Sequence, residues 1–194
     1  MKIFRTASIA LALLFSTCTF AGAQTYVANL NGANEVPPVI TSGTGFAMVT
    51  FSLAMHTLTY SVTFSNLTGT VTAAHVHASA PPGSSAGVAT QTPSFTGFPS
   101  GVTSGTYNMT FDTTLASSWN AAYITANGGT PAGAEAAFAA ALANGTAYFN
   151  IHTSFAGGGE IRGWFAPVPE PSTTLLLGVG LAGAAAAAWR RRRG

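Results

Sequence analysis

Three histidines stand at positions where their side chains could act together. His75 and His77 lie two residues apart in the predicted strand Val71–Ala78, and alternate residues of a strand point to the same face. His152 lies in a second predicted strand, Tyr148–Thr153. Neutral imidazole binds both Cu and Zn, so the three rings could hold one of these metals if the two strands are adjacent. Because metal–nitrogen bonds measure about 2.0–2.1 Å, this hypothesis requires nitrogens that converge to within about 4 Å of one another.

The closing pair of predicted strands carries further polar groups near His152. Gly157–Gly159 can supply the positive φ angles of a tight connection between the two strands. Asn150 shares the face of His152, and Glu160 and Arg162 share one face of the next strand. A guanidinium two residues from a carboxylate indicates an ion pair or a hydrogen-bonded brace. Two hypotheses stay open: a structural or pH-sensitive brace that ties the strands together, and a site that binds a metal or another ligand.

The N-terminus has the pattern of a secretory signal peptide. Met1–Ala23 begins with basic residues, continues with an apolar run and ends in an A-x-A cleavage site at Ala21 and Ala23. We expect signal peptidase to cleave at the end of this segment. The one cysteine of the chain, Cys18, lies within it, so the mature domain would have neither a disulfide nor thiol chemistry.

The C-terminus combines a proline-rich hinge, an apolar run and an arginine cluster. The apolar run Leu175–Trp189 is slightly short for a membrane span, which needs about 20 residues. The arginines that follow it should stay on the cytoplasmic side. The residues of the candidate sorting motif are Pro169, Glu170, Pro171, Arg190, Arg191, Arg192 and Arg193.

This tail, residues 167–194, resembles the PEP-CTERM sorting signal of Gram-negative bacteria, because the Pro-Glu-Pro motif, the apolar segment and the basic cluster occur in that order. The resemblance implies transient anchoring in the inner membrane, recognition by an exosortase, removal of the tail, and delivery to the cell surface or the extracellular space. A plain single-pass membrane anchor is the alternative.

Residues 24–166, between the two ends, are numerous enough for one domain with a hydrophobic core. Charged residues make up 6% of the whole chain, so a large charged surface is excluded. Nucleic-acid binding needs a basic patch, and Arg162 is the one basic residue of this domain. Threonine, serine, asparagine and glycine supply the polar surface instead, which favours an exported all-β protein.

Hydrophobic alternation predicts about seven short strands with two helices inserted late in the domain. We expect the helices at Asp112–Asn127 and from Thr130 to about Ala143. The predicted fold class is mainly β: an antiparallel β-sandwich-like domain with a short helical insertion, flanked by the N-terminal signal helix and the C-terminal hydrophobic helix. The predicted strands are Tyr26–Leu30, Phe46–Leu53, Thr57–Phe64, Val71–Ala78, Thr106–Phe111, Tyr148–Thr153 and a last strand after Gly159.

Several motifs of this domain together resemble the CHRD domain, a module named after chordin. The matching pieces, in chain order, are Asn34–Pro38 (NEVPP), Ala74–His77 (AHVH), Tyr148–Thr153 (YFNIHT) and Gly159–Gly163 (GEIRG). Gly158 departs from the family, which often has proline there. The resemblance implies an extracellular β-rich domain and no established reaction.

The sequence therefore predicts an exported, non-enzymatic protein of the cell surface or extracellular matrix, sorted by an exosortase. Its partner would be a polysaccharide or another protein, and no nucleic acid. The alternative is a secreted protein that binds Cu or Zn through His75, His77 and His152, with redox or other metal-dependent activity left open.

Overall fold

The computed structural model describes residues 22–169, 178, 180–181 and 189–191. The predicted signal segment therefore lies outside the described residues except for its last two positions. Of the residues named above for cleavage and sorting, Ala21, Glu170, Pro171, Arg192 and Arg193 lie outside them, as does most of the predicted C-terminal helix. Residues 189–191, which include Arg190 and Arg191, are helical. Within the described part of the chain, no helix combines the length and the hydropathy needed to span a membrane.

The domain is mainly β, as the alternation predicts. Its strands are β1 (Gln24–Asn31), β2 (Thr44–Ser52), β3 (Thr57–Ser65), β4 (Val71–His77), β5 (Gly105–Asp112), β6 (Tyr148–Thr153), β7 (Ile161–Trp164) and β8 (Ala166–Pro167). Its α-helices are α1 (Ala121–Ala126) and α2 (Pro131–Ala143), and single 3-10 turns lie at Gly32–Asn34 and Ala116–Ser118.

The described strands form one sheet of eight strands rather than the two sheets of a sandwich. Their order is β4-β6-β7-β1-β2-β3-β5, with β8 pairing with β1, and every pairing is antiparallel. The ring centroids of Tyr60 on β3 and Phe149 on β6 lie 6.2 Å apart, although three strands separate β3 from β6 in this order. Neighbouring strands lie about 4.8 Å apart, so the sheet must curl to bring these rings together.

The inside of the curl is the hydrophobic core. Alternate residues of each strand point into it and are almost fully buried, among them Ala47, Val49, Tyr60 and Ile151. Leu53, the last residue of the predicted strand Phe46–Leu53, lies in the turn after β2 and is about half exposed. Phe95, from the long loop before β5, stacks against Phe149 and Phe111 and closes the core between the two ends of the sheet.

That loop also covers the free edge of β4. The backbone N–H of Ala89 donates to Val76 O at 2.9 Å, and that of Phe95 donates to Ala74 O at 2.9 Å. The side chain of Thr90 accepts from the N–H of Val76 at 2.9 Å. The loop thus satisfies an edge that would otherwise present unpaired backbone groups, and it brings its own carbonyl groups beside the histidines of β4.

The first helix is shorter than predicted. Asp112 ends β5 and its carboxylate accepts from the N–H of Thr114 at 2.9 Å, so it forms a turn instead of capping a long helix. The helix starts after Asn120, whose side chain accepts from the N–H of Ala122. The second helix begins and ends where the sequence predicts, with Thr130 as its N-cap and Pro131 in its first turn.

Candidate functional site

The outer face of three neighbouring strands carries the polar residues singled out in the sequence. Because β6 lies between β4 and β7, side chains from the three strands stand side by side. His75 is opposite Asn150, and Asn150 is opposite Arg162. We call this set the polar face; its residues are His75, His77, Tyr148, Asn150, His152, Arg162 and Trp164. Most of its side chains are buried, since loops cover the sheet here.

The structure brings all three predicted histidines of the cluster together. The ring centroids of His75 and His152 lie 4.6 Å apart, those of His75 and His77 4.8 Å, and those of His77 and His152 6.0 Å. One ring nitrogen of each histidine lies within 4.8 Å of the corresponding atoms of the other two. His152 therefore points toward the pair, although the limit of 4.8 Å is wider than the separation that the sequence argument requires.

Backbone carbonyl groups fix the orientation of each ring. Nδ1 of His77 lies 2.8 Å from Ala86 O, and Nδ1 of His152 lies 2.9 Å from Gly157 O. Nδ1 of His75 lies 3.3 Å from Pro93 O. A carbonyl oxygen can only accept, so each Nδ1 carries the proton that it donates, and in a neutral ring Nε2 is left with its lone pair.

Burial keeps the cluster neutral. It lowers the pKa of His75 to about 3, with smaller contributions from His152 and His77. It also lowers the pKa of His77 to about 4 and depresses the pKa of His152, although the hydrogen bond that each ring donates to its carbonyl opposes the shift. Neutral imidazole is the protonation state that binds metal.

Arg162 pairs with a carboxylate that the sequence argument did not select. Its Nε donates to Glu35 Oε2 at 2.5 Å, and both side chains are buried. The guanidinium carbon lies 4.7 Å from the centroid of the Tyr148 ring and 5.9 Å from that of Trp164. Burial raises the pKa of Glu35 to about 7, although the charge and the hydrogen bond of Arg162 act in the opposite direction.

Tyr148 links the ion pair to the histidines. Its ring is nearly parallel to that of His77, with an interplanar angle of 3° and centroids 4.8 Å apart. Its hydroxyl accepts from the N–H of Ala86, the residue whose carbonyl orients His77. Because β6 lies between β4 and β7, the Tyr148 ring stands between the imidazole and the Arg162 guanidinium.

Glu160 belongs to a different set of contacts and is not the partner of Arg162. It is fully buried, and its two oxygens accept four hydrogen bonds. Oε1 accepts from Thr41 Oγ1 at 2.5 Å and from the N–H of Thr68 at 2.6 Å. Oε2 accepts from the N–H of Gly69 at 3.1 Å and from Thr153 Oγ1 at 2.7 Å. Burial alone would raise the pKa of Glu160, but these donors together lower it. Glu160 is thus a structural tie between loops at the end of β6.

Unsatisfied polar atoms concentrate at the polar face and at Glu35, the partner of Arg162. Within residues 22–169, five buried side-chain atoms have no hydrogen-bond partner, and one of these, the Tyr60 hydroxyl, lies in the hydrophobic core. The other four are Glu35 Oε1, Asn150 Oδ1, His77 Nε2 and His152 Nε2. Buried polar atoms are nearly always paired, so a group of unpaired polar atoms indicates a functional role or a bound water, ion or other ligand at this place.

Glu35 and Tyr148 both contact Arg162, but neither was selected as a site residue from the sequence. Alternation places Tyr148 on the face of Asn150 and His152, so its position could have been found from the strand pattern. Glu35 carried a weaker signal, as one of four acids in a domain with one base. The fourth histidine of the sequence, His56, contacts Glu135 instead: its side chain is about half exposed, and its Nδ1 lies 3.0 Å from Glu135 Oε2.

Two known sequence families match the chain, and together they cover most of residues 26–193. The PEP-CTERM protein-sorting motif matches residues 167–193, which supports export and sorting by an exosortase. No curated protein matches the chain, and no solved structure matches it. The CHRD domain matches residues 26–165, which contain every residue of the polar face and every strand residue except Gln24, Thr25 and the strand β8. The protein therefore belongs to the CHRD domain family.

Proposed function

We propose that this protein is an exported CHRD domain that an exosortase delivers to the cell surface, where it acts as a non-enzymatic binding or structural module. The observation that carries the proposal is the junction at Phe165. The CHRD match ends there and the sorting motif begins at Pro167, so the sorting tail directly follows a single folded domain.

The geometry of the junction supports this arrangement. β8 pairs with β1 through Tyr26 and Val27, and the N–H of Val168 donates to Thr25 O at 2.9 Å. The sorting motif therefore starts where the sheet ends, beside the first residues that follow the predicted signal cleavage. An enzyme that cuts after this point would release a domain whose strand pairing is complete.

A neutral outer surface supports a binding role toward an uncharged polymer. The outward-facing residues of β2, β3 and β5 are mostly threonine, serine and asparagine, and they pair in rows across the strands. Thr50, Thr59 and Thr110 form one such row, in which the hydroxyls of Thr59 and Thr110 lie 2.9 Å apart. Hydroxyl and amide groups can exchange hydrogen bonds with a polysaccharide without a charge on either partner.

The proposal is tested by expressing the full chain in a Gram-negative host with its exosortase and in the same host without it. We expect a shorter protein at the cell surface or in the medium of the first host, and an uncut protein in the inner membrane of the second. A Pro169→Ala/Pro171→Ala variant should behave in the first host like the wild type in the second. A Pro81→Ala/Pro82→Ala variant, altered outside the sorting motif, is the matched control and should be sorted normally. Equal mass and location in both hosts would contradict the proposal.

A further inference from the structure

We propose that His75, His77 and His152 form a binding site for one transition-metal ion, Zn²⁺ or Cu²⁺, with Nε2 of each ring as the ligand atom. This inference goes beyond sorting and surface location, and it holds or fails independently of them. It rests on the convergence of the three rings, on the hydrogen bonds that orient them and on the unpaired nitrogen atoms.

The orientation of the rings is the first argument. Each Nδ1–H is directed at a backbone carbonyl, at Pro93, Ala86 and Gly157 respectively. Metal-binding histidines almost always donate their second ring N–H to a carbonyl or carboxylate, because this bond fixes the tautomer and the direction of the ligand nitrogen. Three such bonds in one cluster leave three Nε2 lone pairs free for the same centre.

The unpaired nitrogens are the second argument. Nε2 of His77 and Nε2 of His152 are buried without a hydrogen-bond partner among the described residues. In a brace, both nitrogens of each imidazole would be expected to contact other groups, because burying an unpaired polar atom costs free energy. A bound ion would accept both lone pairs and remove this cost.

The spacing of the three nitrogens is close to what a metal ion requires. One nitrogen of each ring lies within 4.8 Å of the others, whereas a tetrahedral centre with bonds of about 2.0–2.1 Å places its ligand atoms about 3.4 Å apart. Binding of one ion by all three rings thus needs ring movements on the order of 1 Å.

The ligand atoms determine which ion the site can hold. Imidazole suits Zn²⁺ and Cu²⁺, whereas Ca²⁺ and Mg²⁺ require oxygen ligands. The buried carboxylates of Glu35 and Glu160 have other roles, because Glu35 pairs with Arg162 and Glu160 accepts four hydrogen bonds.

The neighbouring guanidinium does not oppose a cation as strongly as its charge alone suggests. Arg162 is paired with Glu35, and the Tyr148 ring separates it from His77. Three protein ligands leave a fourth position of a tetrahedral ion for water, as in open zinc sites. His152, the least buried of the three, provides the side from which an ion can enter.

The test uses the full chain, purified in detergent without a His tag, stripped with a chelator and dialysed separately against Zn²⁺ and Cu²⁺. We expect about one equivalent of one of these metals to be retained, and a rise of about 5 °C in the unfolding temperature on its addition. His152→Asn should reduce the affinity at least tenfold and abolish the rise. His56→Asn is the matched control, because it removes the fourth histidine and asparagine tolerates the positive φ of that position.

Two results would overturn the proposal: wild-type protein that retains neither metal, or a loss of metal in His56→Asn equal to that in His152→Asn. If His152→Asn does not fold, the electron paramagnetic resonance spectrum of wild-type protein loaded with Cu²⁺ decides the matter. Nitrogen hyperfine coupling from several imidazoles would support the site, and a spectrum without it would reject the site.

Discussion

At the scale of single residues, Glu160 shows how a buried carboxylate can hold loops together without a cation. Its four donors come from three separate segments, at Thr41, at Thr68 and Gly69, and at Thr153. A carboxylate that accepts several N–H and O–H groups keeps its charge even when buried. We infer that Glu160 contributes to stability as an anion and that glutamine cannot replace it.

Glu160→Gln should destabilise the domain by about 2–3 kcal/mol, because the amide NH2 would face donors that need an acceptor. The folded-state pKa of Glu160 lies below its unfolded value of about 4.3, so its contribution is complete above that pH and is lost as the pH falls through the folded pKa. The difference between wild type and variant in urea denaturation should therefore be constant from about pH 7 to pH 5.5 and shrink below about pH 4. A difference that does not change with pH would contradict this account.

The partner of Arg162 illustrates what residue spacing alone could not supply. The sequence places Glu160 two residues away and on the expected side, but the ion pair is made with Glu35, 127 positions distant in the chain. Glu160 precedes β7 rather than belonging to it, so the alternation that holds within a strand does not apply there. Local spacing identified the correct guanidinium, and only the long-range pairing of β1 with β7 identifies its carboxylate.

At the scale of elements, the glycine loop between β6 and β7 has one position that requires glycine. Gly159 has φ +127, and a Cβ there would lie 2.5 Å from Asn150 Oδ1 and 2.7 Å from Glu35 Oε1. The backbone of this loop also carries Gly157 O, which orients His152. The loop thus packs its backbone against the polar face at Gly159, while Gly158 has no atom within 4 Å of the corresponding position.

Gly159→Ala should destabilise the domain by about 2–3 kcal/mol, because it combines backbone strain with a clash against buried oxygens. Gly158→Ala is the matched control and should change the stability by less than about 0.5 kcal/mol. Thermal and urea unfolding of both variants measures the contrast. Equal effects at the two positions would show that the loop does not pack against Asn150 and Glu35 as described.

Strand positions were predictable from the sequence, but the number of sheets was not. The sequence located β1 to β7 because successive residues of a strand point alternately to the core and to the outer face, a property of the local pattern. Whether those strands form two sheets or one curled sheet depends on which edges pair, and the pairing of β1 with β7 joins Asn31 to Arg162, far apart in the chain. The predicted helix after Asp112 starts too early for a related reason, since Thr113 is held by its contact with Glu135 and Trp119 by its hydrogen bond to Thr113 O, so only Ala121–Ala126 are α-helical.

The sequence predicted which histidines lie on the polar face, but not the groups that orient their rings. The sequence correctly grouped the three histidines. His75 and His77 share a strand face, and His152 lies with Asn150 in the motif Tyr148–Thr153. The carbonyl groups that orient them come from a long loop and a glycine turn, whose backbone direction no residue pattern specifies. For this reason the metal hypothesis could be stated from the sequence, but its ligand atoms could not.

At the scale of the whole molecule, the two ends of the domain meet at one place. β1 begins at Gln24, and β8 pairs with it at Tyr26 and Val27. The predicted export signal before β1 and the sorting motif that begins within β8 are thus attached to the same side of the sheet. The domain can be processed at both ends without a change in its strand order, and the boundary of the folded unit should lie just after β8.

This boundary is tested by truncation. A chain that ends at Val168 should unfold at the same temperature as the full chain, because it keeps β8 and the hydrogen bond from Val168 N–H to Thr25 O. A chain that ends at Phe165 loses these backbone bonds, and we expect it to be less stable by about 1–2 kcal/mol, a decrease of roughly 3–6 °C in Tm. If both truncated chains unfold together, β8 adds nothing to the domain. If the chain that ends at Val168 is already destabilised, the sorting tail itself supports the fold, and the removal of the tail that we propose would weaken the delivered protein.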